Sequence, residues 1–195
     1  DAWLKWRGTT ANERASLIDK LAALMRRDTD RLAGLMTAEQ GKPLAESRGE
    51  IAYAVSFLDW AAEEAKRVYG EIIPASTPNK RILVIRQPVG VCAIITPWNF
   101  PSAMITRKLG PALAAGCTVV IKPAEDTPLS AIALGELALE AGIPAGVVNI
   151  VTGEPRAIGG VLTSDQRVRK LSFTGSTEVG RLLMKQSSDN LLRLS

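Results

Sequence analysis

Residues Val91–Pro128 read VCAIITPWNFPSAMITRKLGPALAAGCTVVIKPAEDTP. An apolar run, VCAII, enters a turn holding two prolines, a tryptophan and an asparagine. A helix-like segment follows, and then a second apolar run, TVVIKP. The cycle continues downstream through SAIALGELALEAGI, VVNIVTG, RAIGGVLTSDQ and KLSFTG. Apolar runs that start roughly 20 to 30 residues apart, with helical segments between them, are the pattern of right-handed βαβ units on a parallel sheet. The expected class is α/β: N-terminal helices, then an open parallel Rossmann-like sheet.

Upstream of Val91 the sequence reads as helices. TANE, from Thr10, is a capping box, and Leu17, Ile18, Leu21, Leu24 and Met25 repeat at helical spacing behind it. A second helix is expected from about Asp28 to the Gly41-Lys42-Pro43 break, and a third from Pro43 to Tyr69, with Ile51, Val55, Leu58 and Ala62 inward and Gly70 as the stop. After the polar loop ASTPNK, RILVIRQPVG alternates like a half-exposed edge strand, broken at Pro88. The expected division is a helical part over residues 1–80, an edge or oligomerisation strand over 81–90, and βα units over 91–195. The chain opens on Asp1 and stops within LLRLS, so both ends read as cut and the sheet as incomplete at the C-terminus.

Composition narrows the chemistry. The net charge of +4 is spread along the chain without a run of like charges, which fits an anionic small molecule and argues against a nucleic-acid or membrane partner. No span-length apolar run and no signal peptide is evident, which points to an intracellular protein, cytoplasmic or in the mitochondrial matrix. The chain has no histidine, so Ser-His-Asp triads, Cys-His dyads and histidine zinc sites are excluded and no metal site is expected. Cys92 and Cys117 lie in apolar strand-like runs without ligand spacing and read as buried structural thiols.

In a parallel sheet, ligands bind beyond the carboxyl ends of the strands, and four turns lie there: TPWNFP, KPAEDTP, TGEP and TGSTEVG. TGSTEVG resembles a phosphate loop, with Gly175 open to an anion, Ser176 and Thr177 as hydroxyls and Gly180 allowing close packing. It reads equally as a plain strand-to-helix turn. Glu125, with Lys122, is placed to accept from ribose hydroxyls and to repel a 2′-phosphate; the other reading is a solvated pair at a helix start. Asn99, held between prolines and an aromatic, is either a preorganised oxyanion donor or a turn cap. Phe100, Met104 and Arg107 fall at i, i+4 and i+7, on one helical face, although Arg107 alone reads as a surface charge.

Taken together and in this order, ITPWNFP, KPAEDTP, GIPAGVVNIVTG and FTGSTEVG resemble the NAD(P)-dependent aldehyde dehydrogenases. The resemblance covers nearly the whole chain. DWAAEEAKRVYGEIIP and TPWNFPSAMITRK look most like the members that act on succinate semialdehyde. The resemblance implies the aldehyde dehydrogenase form of the fold and an aldehyde substrate. It also implies a homodimer or homotetramer paired partly through RILVIRQPVG. The cofactor would be NAD, with NADP possible, because relatives preferring NADP often carry a small residue where Glu125 stands.

The residue roles it implies are as follows. Asn99 is the catalytic oxyanion donor. Thr96, Pro97, Trp98 and Asn99 lie on the nicotinamide side. Lys122, Pro123, Ala124 and Glu125 hold the adenosine ribose. Gly159 faces the adenine, while Phe173, Gly175, Ser176 and Gly180 form the pyrophosphate loop. Phe100, Met104 and Arg107 line the substrate tunnel, with Arg107 suiting a substrate that ends in carboxylate. The family's cysteine nucleophile and glutamate base lie beyond the FTGST loop, so the chain is expected to be the cofactor portion, inactive by itself. A non-catalytic nucleotide-binding module is the other reading.

Overall fold

Thr10 starts the first long helix as the TANE box predicts. Its side chain accepts from the Glu13 amide, and the Glu13 carboxylate accepts from the Thr10 amide, in a computed structural model that describes residues 2–195. A short helix α1 (Ala2–Trp6), which no sequence signal announced, precedes α2 (Ala11–Arg27) and α3 (Thr29–Gln40). Gly41 closes α3 in the left-handed conformation, φ 84°, which glycine adopts without a Cβ clash. The third expected helix is α4 (Leu44–Ala65); it ends at Lys66, short of the expected Tyr69.

RILVIRQPVG, expected as an edge or oligomerisation strand, lies outside the main sheet. Its paired part is β2 (Ile82–Val84), which runs antiparallel to β1 (Glu71–Ile73), a strand the sequence reading missed. All six residues are exposed, so no buried face imposes the expected alternation.

The main sheet is parallel: β3 (Val91–Ile95), β4 (Thr118–Lys122), β5 (Val148–Ile150), β6 (Val168–Phe173) and β7 (Arg193–Leu194), in spatial order β5-β4-β3-β6-β7. The connecting helices are α5 (Ala103–Ala114), α6 (Pro128–Glu140), α7 (Pro155–Ser164) and α8 (Thr177–Ser187). The four expected strands are present, and LLRLS, expected to be an uncapped apolar end, supplies the short β7. The order reverses at β3: β4 and β5 build to one side, β6 and β7 to the other. A crevice therefore opens between the ends of β3 and β6.

Each face of the sheet carries its own core. Cys92, Ile94, Val119 and Ile121 pack with the N-terminal helices, α5 and α6; Ala93, Leu171, Leu162 and Leu183 pack with α7 and α8. The N-terminal helices also cap the sheet helices. Glu39 of α3 accepts from the Leu129 and Ser130 amides at the start of α6 (2.7 and 2.9 Å), and Glu50 of α4 accepts from the Ser102 and Ala103 amides at the start of α5 (2.9 and 3.2 Å). Gly110 lets α5 lie close on α4, since a Cβ there would stand 2.9 Å from Ala61 Cβ and 3.2 Å from the Phe57 carbonyl oxygen.

Candidate active site

The TPWNFP turn leaves the end of β3 and climbs onto α5. Thr96 is buried, its amide donating to the Lys122 carbonyl across 3.3 Å, while its hydroxyl has no partner among the described residues. Pro97 is half-buried, and Trp98, Asn99 and Phe100 are exposed. Ser102, not Asn99, is the N-cap residue of α5, and Glu50 takes the first amides, so the Asn99 side chain is not spent on capping this helix. The Asn99 carbonyl is held instead: Lys42 Nζ donates to it at 2.9 Å and Gln40 Nε2 at 3.3 Å.

Beside it, the Thr174 amide donates to the Ile95 carbonyl across 3.1 Å, and Lys108 Nζ of α5 donates to Thr174 Oγ1 at 2.6 Å. The turns after β3 and β6 are thereby joined across the crevice. Burial pushes the Lys108 ammonium below the ordinary lysine range, with repulsion from Arg107 and Lys170 adding to it. Ser176 is the N-cap of α8, its hydroxyl accepting from the Val179 amide at 3.3 Å, so the positive end of α8 faces the crevice. Gly175 and Gly180 have a packing reason that the sequence did not show. A Cβ on Gly175 would stand 2.6 Å from Phe173 Cζ, and one on Gly180 would stand 3.3 Å from Phe173 Cε1. Both glycines make room for one ring.

A second cleft, of about 410 Å³, lies beyond β4 and β5, lined among others by Pro123, Ala124, Glu125, Ile132, Gly153 and Glu154. Lys122 is buried at the end of β4 and ion-paired with Glu125, whose carboxylate reaches solvent. Glu154 caps α7 by accepting from the Arg156 and Ala157 amides, which holds its carboxyl below the usual range. Gly159 does not line this cleft; it is buried on α7, where an added Cβ would stand 3.8 Å from Leu183 Cδ2 of α8. Ile132 was missed because it sits in a helix that reads as core throughout, yet it is 41% exposed at the cleft wall.

On α5, Arg107 is exposed, and its guanidinium donates to Tyr53 Oη at 2.5 Å while lying 4.7 Å from the centroid of the Phe57 ring. The Tyr53 and Phe57 rings pack tilted against one another, their centroids 4.6 Å apart and their planes at 59°. This aromatic shelf on α4 was not singled out from sequence. Its signal was two aromatics at i and i+4 beside the apolar stripe. Cys92 and Cys117 are both buried and free, and the Cys92 thiol is pushed up by its hydrogen bond to Cys117 and by burial. Neither reaches the crevice as an open nucleophile.

A parallel sheet that reverses its order at β3, with an unspent amide and a helix N-terminus at that reversal, defines a Rossmann-like α/β unit of the nucleotide-binding kind. Sequence comparison gives the family: the profile described as "Aldehyde dehydrogenase family" matches residues 1–195, and the chain belongs to that family. It is 61% identical over 190 residues to succinate-semialdehyde dehydrogenase [NADP(+)] GabD of Escherichia coli (strain K12), covering 97% of this chain and 39% of that protein. It is equally 61% identical over 190 residues to glutarate-semialdehyde dehydrogenase of Pseudomonas putida, covering 97% of this chain and 40% of that one. The crystal structure of an aldehyde dehydrogenase from Brucella melitensis biovar abortus 2308 superposes with a TM-score of 0.99 at 62% identity, over 100% of this chain and 40% of that chain. The chain thus spans about 40% of the length of the relatives it matches. Among the described residues, no helix is long and apolar enough to cross a membrane.

Proposed function

We propose that the protein to which these residues belong oxidises succinate semialdehyde, or a similar aldehyde ending in carboxylate, to the acid with NAD or NADP. The carrying observation is Arg107: its guanidinium is held on the Tyr53–Phe57 shelf, at the start of the second turn of α5 and eight residues after Asn99. A cation fixed there suits a substrate whose reacting end lies at Asn99 and whose far end is anionic.

The residues present fit the cofactor. Thr96 offers a buried hydroxyl without a partner among the described residues, the start of α8 faces the crevice, and the Glu125 cleft lies farther along the same sheet edge. Glu125 and Lys122 would hold the ribose, Gly175 and Ser176 the pyrophosphate, and Thr96, Pro97 and Trp98 the nicotinamide side. Bound there, NAD(P) supplies the hydride acceptor.

Asn99 donates an amide N–H to the aldehyde oxygen as that oxygen gains negative charge, a contact worth roughly 10²–10³ in rate. The attacking thiolate comes from elsewhere in the protein, since Cys92 and Cys117 are buried, and the family resemblance implies the same of the water-activating glutamate. The glutarate-semialdehyde relative favours a second substrate one carbon longer, because Arg107 fixes the sign of the far group more firmly than its distance.

The test is Arg107→Leu in the full-length protein. KM for succinate semialdehyde is expected to rise roughly tenfold, about 1.4 kcal/mol, while KM for propanal stays within about twofold. Equal effects on the two aldehydes would sink the assignment.

A further inference from the structure

We infer that Glu50 and Lys42 are positioning residues for Asn99, an inference resting on the reading of Asn99 as the oxyanion donor. Glu50 is 3% exposed, on the core-facing side of α4, and all of its carboxylate is used. Oε1 accepts from the Ser102 and Ala103 amides at 2.9 and 3.2 Å, and Oε2 is ion-paired with Lys42 Nζ. Lys42 follows the Gly41 cap of α3, and its side chain is 10% exposed, against 1% for that of Glu50. It donates onward to the Asn99 carbonyl at 2.9 Å and lies 4.3 Å from the centroid of the Phe100 ring. Gln40 completes the clamp, its Nε2 donating to the same carbonyl at 3.3 Å while its Oε1 accepts from the Lys42 amide at 2.9 Å.

Capping alone does not explain this arrangement. A helix start needs only an acceptor, and a neutral side chain would supply one. A buried ion pair carries a desolvation cost, and apolar replacements of similar volume are often as stable or more so. What the pair adds is a charge-assisted donor on the carbonyl of the residue that bears the oxyanion amide. The backbone is then fixed on both sides of the turn, at the Asn99 carbonyl by Lys42 and Gln40 and at the α5 amides by Glu50. Only the side-chain torsions of Asn99 remain to be ordered when substrate arrives. Support of this kind decides whether a donor sits within a fraction of an ångström of its productive place.

The experiment uses the full-length protein, assayed with succinate semialdehyde and nicotinamide cofactor. Glu50→Gln together with Lys42→Met removes both charges at once, keeps an oxygen for the two amides and leaves a hydrocarbon stem on Phe100. This variant is expected to lose roughly 10- to 100-fold in kcat, the scale of an ångström-sized misplacement. KM for both substrates should stay within about twofold, because the loss falls on the transition state.

The deciding measurement repeats the substitution in an Asn99→Ala background, where it should cost less than about twofold, as expected for residues acting through one another. The same fold-loss in both backgrounds overturns the inference. An Asn99→Ala change that costs less than about threefold overturns the oxyanion reading, and this inference with it. Should the double variant fail to fold, Glu50→Gln alone carries the same cycle with the same outcomes.

Discussion

Lys108 Nζ donates to Thr174 Oγ1 across 2.6 Å, so one side chain joins α5 to the turn after β6 at the point where strand order reverses. Its ammonium is partly desolvated there and also faces Arg107 and Lys170, which holds its pKa below the ordinary lysine value. The folded state therefore releases this proton more readily than the unfolded chain. The lysine's contribution to stability is least favourable below its folded-state pKa and rises with pH up to the ordinary value. Competitive acetylation, read peptide by peptide from about pH 7 to 11, is expected to give Lys108 a midpoint below ~10.4. A midpoint at or above that value would mean that the crevice does not desolvate it.

Glu39 ties the N-terminal helices to the sheet by accepting from the Leu129 and Ser130 amides. Glu39→Ala leaves the start of α6 uncapped and is expected to cost ~1–2 kcal/mol. Glu39→Gln keeps an acceptor and should cost less. Chemical denaturation of both variants checks the order, and equal losses would show that the contact acts through packing alone.

The parallel sheet was legible because buried strands such as VCAII and TVVIK are short, mostly apolar runs rich in β-branched residues, and because helices of ordinary length separate them. The β1–β2 hairpin was not legible, since six exposed residues carry no pattern set by a core. The same contrast holds at the site. Asn99, Glu125 and Ser176 stand in turns, where polar residues are conspicuous, and the structure brings Asn99 and Ser176 to the ends of the adjacent strands β3 and β6. Glu50, Tyr53 and Phe57 act from α4 and Lys42 from the link before it, far away in sequence, so no local spacing could relate them to Asn99 or Arg107. For Glu50 the hint was its place next to Ile51 and four residues before Ala54, within the buried stripe of α4.

Phe173 packs against both glycines of the TGSTEVG turn, so Gly175→Ala must displace its ring. The turn then shifts relative to the start of α8. Calorimetric titration of the full-length protein is expected to show NAD binding weakened roughly tenfold, about 1.4 kcal/mol. Unchanged affinity with a displaced ring would detach this turn from the cofactor.

Tyr53 Oη accepts from Arg107, and the neighbouring Phe57 ring supports the same guanidinium. Tyr53→Phe keeps the ring and removes the acceptor. KM for succinate semialdehyde is expected to rise roughly three- to fivefold, the cost of a single hydrogen bond to a charged group at an exposed site, with propanal unaffected. Combined with Arg107→Leu, the change should add nothing further; full additivity would separate the shelf from the arginine.

Glu125 sets the expected choice between cofactors. Its carboxylate is exposed at the mouth of the 410 Å³ cleft and pinned by the buried Lys122 ammonium, so it stands in a fixed place where a ribose would lie. On the proposed reading it would accept from the 2′- and 3′-hydroxyls of NAD and repel the 2′-phosphate of NADP, a group that carries nearly two negative charges. Glu125→Ser removes the repulsion, leaves a hydroxyl that can donate to phosphate and releases Lys122 from its partner. The ratio of kcat/KM for NADP to that for NAD is expected to rise by roughly 10- to 100-fold, about 1.4 to 2.7 kcal/mol. Both arms of that ratio should contribute, with NADP improving as NAD loses its acceptor. The related Escherichia coli enzyme carries NADP(+) in its name at 61% identity. Steady-state kinetics with each cofactor at saturating aldehyde measures the ratio, and an unchanged value would move the discriminating contact away from Glu125.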